Sequence, residues 1–329
     1  MYCNALTENP APYSADNCSD SALSKALPYA ARLAPPCSAS TICCPISQLA
    51  HTWAVLTERA ACTTALLLCL AREPGWDELV LSGLPQEDLP ELSPALPLRY
   101  GPQRPRPCFA MDLDALRAAG KTPEAALSSN TRAQINRSLR LYGGRDALTL
   151  DEARDPDECL RFLDELAALH HKSWEARGEA GVFESPDFRR FHERLIRGAP
   201  EGSGLVQLLR LRTPGETIGL AYNIVHGGTV YFYQSGLKLP ADAKEKPGLC
   251  LHLLAMNLHM KRGQRRYDFM ASDARYKRSL SNSERTLVWG VLQRPSLTLA
   301  LEDAAVRTVH YLRSLRPAPT EAADPAVDE

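Results

Sequence analysis

Two rhythms of apolar residues divide this chain. Between Leu49 and Leu70 the apolar positions recur with a helical period that stops before "REPGW". "WDELVLSGLP", Trp76 to Pro85, reads as a short buried strand closed by a turn. "LSPALPLRYGPQRPRPC", Leu92 to Cys108, is rich in proline and without period, so it is expected to be a connector. Helical spacing returns in "SSNTRAQINRSLRLYGG". Here Ser128 or Ser129 caps, Ile135 and Leu139 share a face, and Gly143–Gly144 stops the helix. "DPDECLRFLDELAALHHKSWEARG" opens with Asp155 as cap and Pro156 at the first helical position. "SPDFRRFHERLIRG" repeats the device with Ser185 and Pro186.

The rhythm then shortens. "GLVQLLRLR", "TIGLAYNIV" and "TVYFYQSGL" are joined by "TPGE" and by Gly227–Gly228, which predicts an antiparallel meander. A polar loop, "KLPADAKEK", leads to a helix from Gly248 to Arg262. A strand at "RRYDFMA", a basic run, a strand from Arg285 to Gln293 and a helix around "EDAAVRTVHYLRSL" follow. A meander followed by strand–helix–strand is expected to give an α/β (α+β) fold, a mixed, mainly antiparallel sheet flanked by helices. The expected organisation is a poorly ordered segment at 1–46, a first part at 47–110, and the main domain at 120–295. A C-terminal helix at 296–315 and a disordered acidic tail at 316–329 complete it.

Charge and composition narrow the function classes. The 329 residues carry a formal net charge of −1, so no global field draws the chain to nucleic acid or to an anionic membrane. Any anion site must be local. The longest apolar run, "ALLLCLA", falls far short of the roughly 20 residues of a membrane helix. The N-terminus lacks a basic region and an apolar core, so a cytoplasmic place is expected. Eight of the ten cysteines precede residue 109 with no CxxC pair, which favours reduced thiols over a disulfide framework. Cys43, Cys44 and His51 match no zinc spacing, and no metal is expected.

Two stretches carry candidate chemistry. In "QSGLKLPADAKEKPGLCLH", Gln234 to His252, a strand ends, three lysines follow (Lys238, Lys244, Lys246), and a helix starts at Pro247–Gly248. Free N–H groups at a helix start favour a phosphate; ordinary Pro–Gly punctuation gives the same letters. "KRGQRRYDFMASDARYKR" holds seven Lys/Arg against Asp268 and Asp273 around the strand core Tyr267–Phe269. Strand ends collect ligands in open α/β sheets, so an anionic substrate fits; a solvated charged face is the plainer alternative. The basic residues Arg132, Arg137 and Arg140 pose the same choice. His170, His171, His192, Asp268 and Tyr276 are the candidate acid–base groups. His170 lies on an apolar stripe. Strand alternation points Asp268 away from Tyr267 and Phe269, as a base or as an arginine's partner.

The ordered set "RAQINRSLRLYGG", "LHHKSWEARGEAGVFESPDFRRFH", "IGLAYNIVHGGTVYFYQSGL", "KPGLCLHLLAMN" and "YDFMASDARYKRSL" resembles a known family. It is the bacterial Gcn5-related N-acetyltransferase (GNAT) domain of the cellulose-biosynthesis type, related to the Fem aminoacyltransferases. The resemblance covers about half the chain, Leu127 to Gln293. It implies that the N-terminal half is truncated or replaced. It further implies an acyl-CoA-dependent acyltransferase, with acetyl-CoA or another acyl-CoA as co-substrate. The acceptor would be an amine, on a sugar or another exopolysaccharide or envelope precursor. Carried over, it puts Gln234, Ser235 and Gly236 on the pantetheine arm and Lys246, Gly248 and Leu249 at the pyrophosphate. The usual Q/R-x-x-G-x-G/A signature is absent from that loop. Lys277 takes the place of a lysine that faces a phosphate-bearing substrate. On that scheme Asp268 orients or deprotonates the amine and Tyr276 donates to the leaving thiolate. Aminoacyl transfer from a charged tRNA and a non-catalytic binding module are the rival expectations.

Overall fold

The computed structural model describes the backbone of Thr41–Cys44 and residues 67–314, apart from 74, 90, 91, 93–97, 180 and 200–203. The strands are β1 (Thr41–Cys44), β2 (Glu78–Pro85), β3 (Arg99–Asp112), β4 (Thr149–Glu152), β5 (Val206–Arg212), β6 (Thr217–His226), β7 (Thr229–Leu237), β8 (Arg266–Ala271) and β9 (Ser283–Gln293). The helices are α1 (Leu113–Ala118), α2 (Pro123–Ala126), α3 (Ser129–Leu141), α4 (Pro156–Glu175), α5 (Pro186–Gly198), α6 (Pro247–Lys261), α7 (Arg275–Ser279) and α8 (Leu297–Ser314). The chain forms two compact units, and β2, β3 and β9 contribute residues to both.

The larger unit holds Gly83–Glu87 and Arg104–Val288. Its strands lie in the order β9-β3-β8-β7-β6-β5-β4. Pairs β3–β8, β4–β5, β5–β6 and β6–β7 are antiparallel, and β7–β8 is parallel. This is the mixed, mostly antiparallel sheet flanked by helices that the pattern implied. Local chemistry starts the helices as expected. Ser128 Oγ accepts the Thr131 N–H at 3.1 Å and Asp155 Oδ1 accepts that of Glu158 at 2.7 Å. Ser185 Oγ accepts the Phe188 N–H at 3.4 Å.

Alternation along the strands sends side chains to two cores. On one face Leu209, Leu211, Val230, Phe232, Tyr267 and Phe269 pack with Ile135, Leu251 and Met256. On the other, Leu208, Leu220 and Tyr222 pack with Phe162, Leu163, Leu166 and Ile196. Helix α6 is apolar nearly all round and buries eight of its residues, as a core helix should.

Close approach fixes one glycine. A Cβ on Gly236 would sit 2.3 Å from the Leu166 carbonyl oxygen and 3.0 Å from its carbonyl carbon. The obstacle is the main chain of α4, so no rotamer change relieves it. Gly236→Ala is expected to destabilise the protein by about 2 kcal/mol or more. Denaturant unfolding measures this. Trimming Leu166 to Ala should give no rescue, and a rescue would disprove the main-chain origin of the clash.

The smaller unit includes β1 and the start of β2, paired in parallel from Thr41↔Glu78 to Cys44↔Leu81. Trp76 lies before β2, not in it. Its indole N–H donates to the Leu70 carbonyl at 2.8 Å and the Arg294 guanidinium stands 4.6 Å over its ring.

Two elements of the chain differ from what its pattern implies. The expected connector at Leu92–Cys108 is largely strand, because β3 starts at Arg99. β8 pairs only with Cys108–Asp112, so the missing N–H groups of Pro105 and Pro107 interrupt no ladder with β8. The short α1, α2 and β4 were not anticipated. The compact unit takes in β3 from Arg104 and runs to Val288. β1 lies within the 1–46 segment expected to be poorly ordered. His51, the side chains of Cys43 and Cys44, the rest of 1–46, the expected helix from Leu49 as far as residue 66, and 316–329 lie outside the described residues. Among the described residues no helix is long and apolar enough to cross a membrane.

Candidate active site

Strands β7 and β8 begin together and part. Their parallel ladder has three pairs, Thr229↔Arg266, Val230↔Tyr267 and Tyr231↔Asp268. β7 continues against β6 as far as Leu237. Just past the last shared pair β7 carries a bulge. Asn223 faces Phe232 and Tyr222 faces Gln234, which leaves Tyr233 as the extra residue. Gln234, Ser235 and Gly236 therefore lie where β7 has no pairing to β8. The Ser235 N–H donates to Gln234 Oε1 at 3.1 Å. Gly236 turns its α-carbon to α4, so only its backbone is offered to a ligand.

Helix α6 starts nearby in sequence. Its N-cap is Lys246, whose side chain caps nothing, and Pro247 follows at the first helical position. The Lys246 N–H donates to Ser138 Oγ at 2.8 Å, and Cys250 Sγ reaches the same oxygen at 3.3 Å. Ser138 is fully buried, so this bond fixes the loop end to α3. Gly248 has its α-carbon toward Leu237, where a Cβ would come within 3.0 Å. Leu249 is half-buried against the α6-side core. Of the other loop lysines, Lys238 pairs with Glu216 and Lys244 is exposed.

The end of β8 carries a second group. Asp268 is 1% exposed and its carboxylate is fully engaged. Oδ1 accepts the Met270 N–H at 2.7 Å and the Cys108 thiol at 3.2 Å. Oδ2 receives Arg285 Nη2 at 3.1 Å and Arg266 Nε at 3.4 Å. With these four partners neither carboxylate oxygen of Asp268 is free in the structure. Of the two sequence readings, the partner of nearby arginines is the one found. Met270, next to it, is the one non-glycine among the described residues with a left-handed backbone, at φ 59°. Lys277 Nζ donates to the Met270 carbonyl at 3.2 Å. The Met270 peptide groups are thus held from both sides, by Asp268 and by Lys277.

Lys277 is 8% exposed, and burial pulls its ammonium down to about 8, partly offset by Cys108 and Asp268. Tyr276 is partly exposed, and burial of its hydroxyl end pushes it up to about 12, so it stays protonated. Its ring lies over that of His252, centroids 5.7 Å apart at an interplanar angle of 13°. His252 was not anticipated. It is 3% exposed on α6, with Nδ1 3.1 Å from the Tyr267 hydroxyl. Burial, and secondarily Lys277, lowers it to about 3. Cys108 and Arg285 were also not anticipated, since nothing local in sequence ties them to Asp268.

The remaining candidates lie elsewhere. His170 is buried against Trp174 and Phe183, with no partner at either ring nitrogen. His192 Nδ1 meets the Tyr222 hydroxyl at 3.0 Å, and His171 is exposed beside Glu184. Arg137 and Arg140 are exposed, whereas Arg132 donates to the Leu127 carbonyl at 2.7 Å. Among the described residues no three His, Cys, Asp or Glu side chains are grouped to hold a metal ion.

Residues 129–278 match the family model of the acetyltransferase (GNAT) domain. None of the curated proteins matches. Among solved structures, FemX aligns at 12% identity over 70% of this chain and 75% of its own, with a TM-score of 0.49. The C-terminal domain of a putative lysylphosphatidylglycerol synthetase from Agrobacterium fabrum aligns at 15% identity over 74% and 76%, with a TM-score of 0.45. A tandem GNAT protein from the clavulanic acid biosynthesis pathway aligns at 15% identity over 80% and 78%, with a TM-score of 0.37.

Proposed function

We propose that the larger unit is an acyltransferase that moves an acyl group from a coenzyme A thioester to an amine. The carrying observation is the parting of β7 and β8 after Tyr231 and Asp268, with a bulge at Tyr233 beside it. The match of residues 129–278 to an acetyltransferase domain supports the class. A thioester arm is an extended, amide-bearing chain, and an unpaired strand edge is what it would pair with. The backbone of Gln234, Ser235 and Gly236 offers that edge. The N–H groups of Gly248 and Leu249, with Lys246 beside them, suit the diphosphate.

In the reaction the acceptor amine, as free base, attacks the thioester carbonyl carbon. The carbonyl oxygen gains charge and then gives it up as the C–S bond breaks. In this reading the Ser235 N–H, which donates to Gln234 Oε1 in the free protein, exchanges that partner for the carbonyl oxygen when the donor binds. Tyr276 keeps its proton to high pH and supplies it to the departing thiolate. Asp268 acts through its neighbours, as a positioning residue. The acceptor in this reading is an amine on a sugar or envelope-precursor metabolite, as the cellulose-type resemblance implies.

Titration calorimetry with acetyl-CoA tests the donor. Binding in the micromolar range is expected, and none at millimolar coenzyme would leave a binding module. Binding of charged tRNA instead would indicate aminoacyl transfer. Tyr276→Phe is expected to lower kcat by about 10- to 100-fold with KM unchanged, read from release of the free thiol. Full turnover in the folded variant would remove Tyr276 from the mechanism.

A further inference from the structure

Arg266 and Arg285 have more hydrogen-bonding capacity than Asp268 can use. Both guanidinium groups converge on one oxygen, Asp268 Oδ2, because Oδ1 is occupied by Met270 and Cys108. Arg266 Nη2 and Arg285 Nε are buried with no hydrogen-bond acceptor in place, the weakly accepting Cys108 sulfur being the other group beside Arg285. Arg266 Nη1 has only a long contact, 3.5 Å, to Ser283 Oγ. Among the described residues Asp268 is the one carboxylate within ion-pair distance of either arginine. Lys277 is close enough to feel the same carboxylate, and Cys108 stays a neutral thiol there.

The cluster itself holds three cations, Arg266, Lys277 and Arg285, against the single buried carboxylate of Asp268, with the exposed Glu87 on the rim of the depression beside Arg285. Buried cationic donors without acceptors are costly, and proteins keep them where a ligand completes them. The arginines are 26% and 35% exposed, so a small ligand can reach them. An open depression of about 600 Å³ lies alongside, lined by Gln86, Glu87, Arg285 and Thr286.

We propose that Arg266 and Arg285 form a subsite for a phosphoryl group. Two planar guanidinium forks with unfilled donors suit the several oxygens of a phosphoryl group better than the two of a carboxylate. Strand alternation puts this pair on the sheet face away from α6, since Tyr267 and Phe269 belong to the α6-side core and Asp268 points oppositely. The start of α6 is the place proposed for the donor's diphosphate. The phosphoryl group at the arginine pair accordingly belongs to the acceptor, which is then a phosphorylated amine. This assignment of the acceptor rests on the acyltransfer reading, whereas the anion site does not.

The test is a titration of the full-length protein with inorganic phosphate at constant ionic strength, following the Arg Nε–Hε signals by NMR. The expected result is a saturable shift of the Arg285 and Arg266 signals at millimolar phosphate, with acetate at the same ionic strength giving at least tenfold weaker binding. Arg285→Lys keeps a cation beside Asp268 but loses the fork, and should weaken phosphate binding about tenfold while the fold is retained. No saturable shift, or equal response to acetate, overturns the subsite. Displacement of phosphate by desulfo-coenzyme A would give the site to the donor and overturn the acceptor assignment. None of these readouts uses turnover, so a failed acyl-transfer assay leaves the result standing.

Discussion

Acidification from pH 7 to pH 5 is expected to destabilise the larger unit steeply. Four of its histidines, His170, His192, His252 and His259, are between 1% and 3% exposed. Burial holds the first two and His259 down to about 4, and His252 to about 3. In the unfolded chain each titrates near 6.5. Between pH 6.5 and 4 the unfolded state therefore binds more protons than the folded one, and stability falls as pH falls. Each histidine accounts for about 1.8 kcal/mol between pH 7 and pH 5, and the four for about 7 kcal/mol. A domain's whole stability is about 5–15 kcal/mol. The loss is of the same order as the whole, so the melting temperature should fall steeply before most carboxylates titrate. Circular dichroism against pH reads the transition, and the slope of stability against pH counts the protons. An unchanged melting temperature at pH 4.5 would show that these rings are not held neutral by the fold.

Lys277→Met is expected to abolish activity while leaving the protein as stable at pH 7, or more so. Burial lowers the lysine from 10.5 to about 8. Below pH 8 its charge is carried in the folded state at a cost of about 3 kcal/mol, and the cost is relieved as pH rises from 8 to 10.5. Methionine fills similar volume and carries no charge. The wild type should therefore gain stability across that alkaline window and the variant should not. Activity should move the other way, because the wild type loses its ammonium above pH 8. A drop of at least 100-fold in kcat/KM, with a melting temperature no lower than the wild type's, separates a functional lysine from a structural one. A variant that keeps wild-type turnover would make the buried charge unexplained.

What the sequence disclosed was local. Ser128, Asp155 and Ser185 announce helix starts because a cap needs only the next three residues. The meander was legible because each of its turns joins adjacent strands. The strand β3 was not, because its prolines resemble a linker until β8 is known to pair only with its far end. The site was half legible for the same reason. Tyr276, Lys277 and Asp268 share one stretch. Cys108, His252 and Arg285 come to them from other elements, and no spacing links them. The ion cluster around Asp268 was legible only as an arginine's partner, because Arg285 and Cys108 lie far from it in sequence.

The contact between Cys108 and Asp268 spans 160 residues. Its strand β3 is made early and cannot pair with β8 until nearly the whole unit has left the ribosome. Loop closure over that length is slow compared with the adjacent pairings of β5, β6 and β7. The meander should therefore form first and the β8 end last. During synthesis the arginine pair and Lys277 are the final parts to assemble, so a chain stalled before Arg285 would present a folded meander and no anion site.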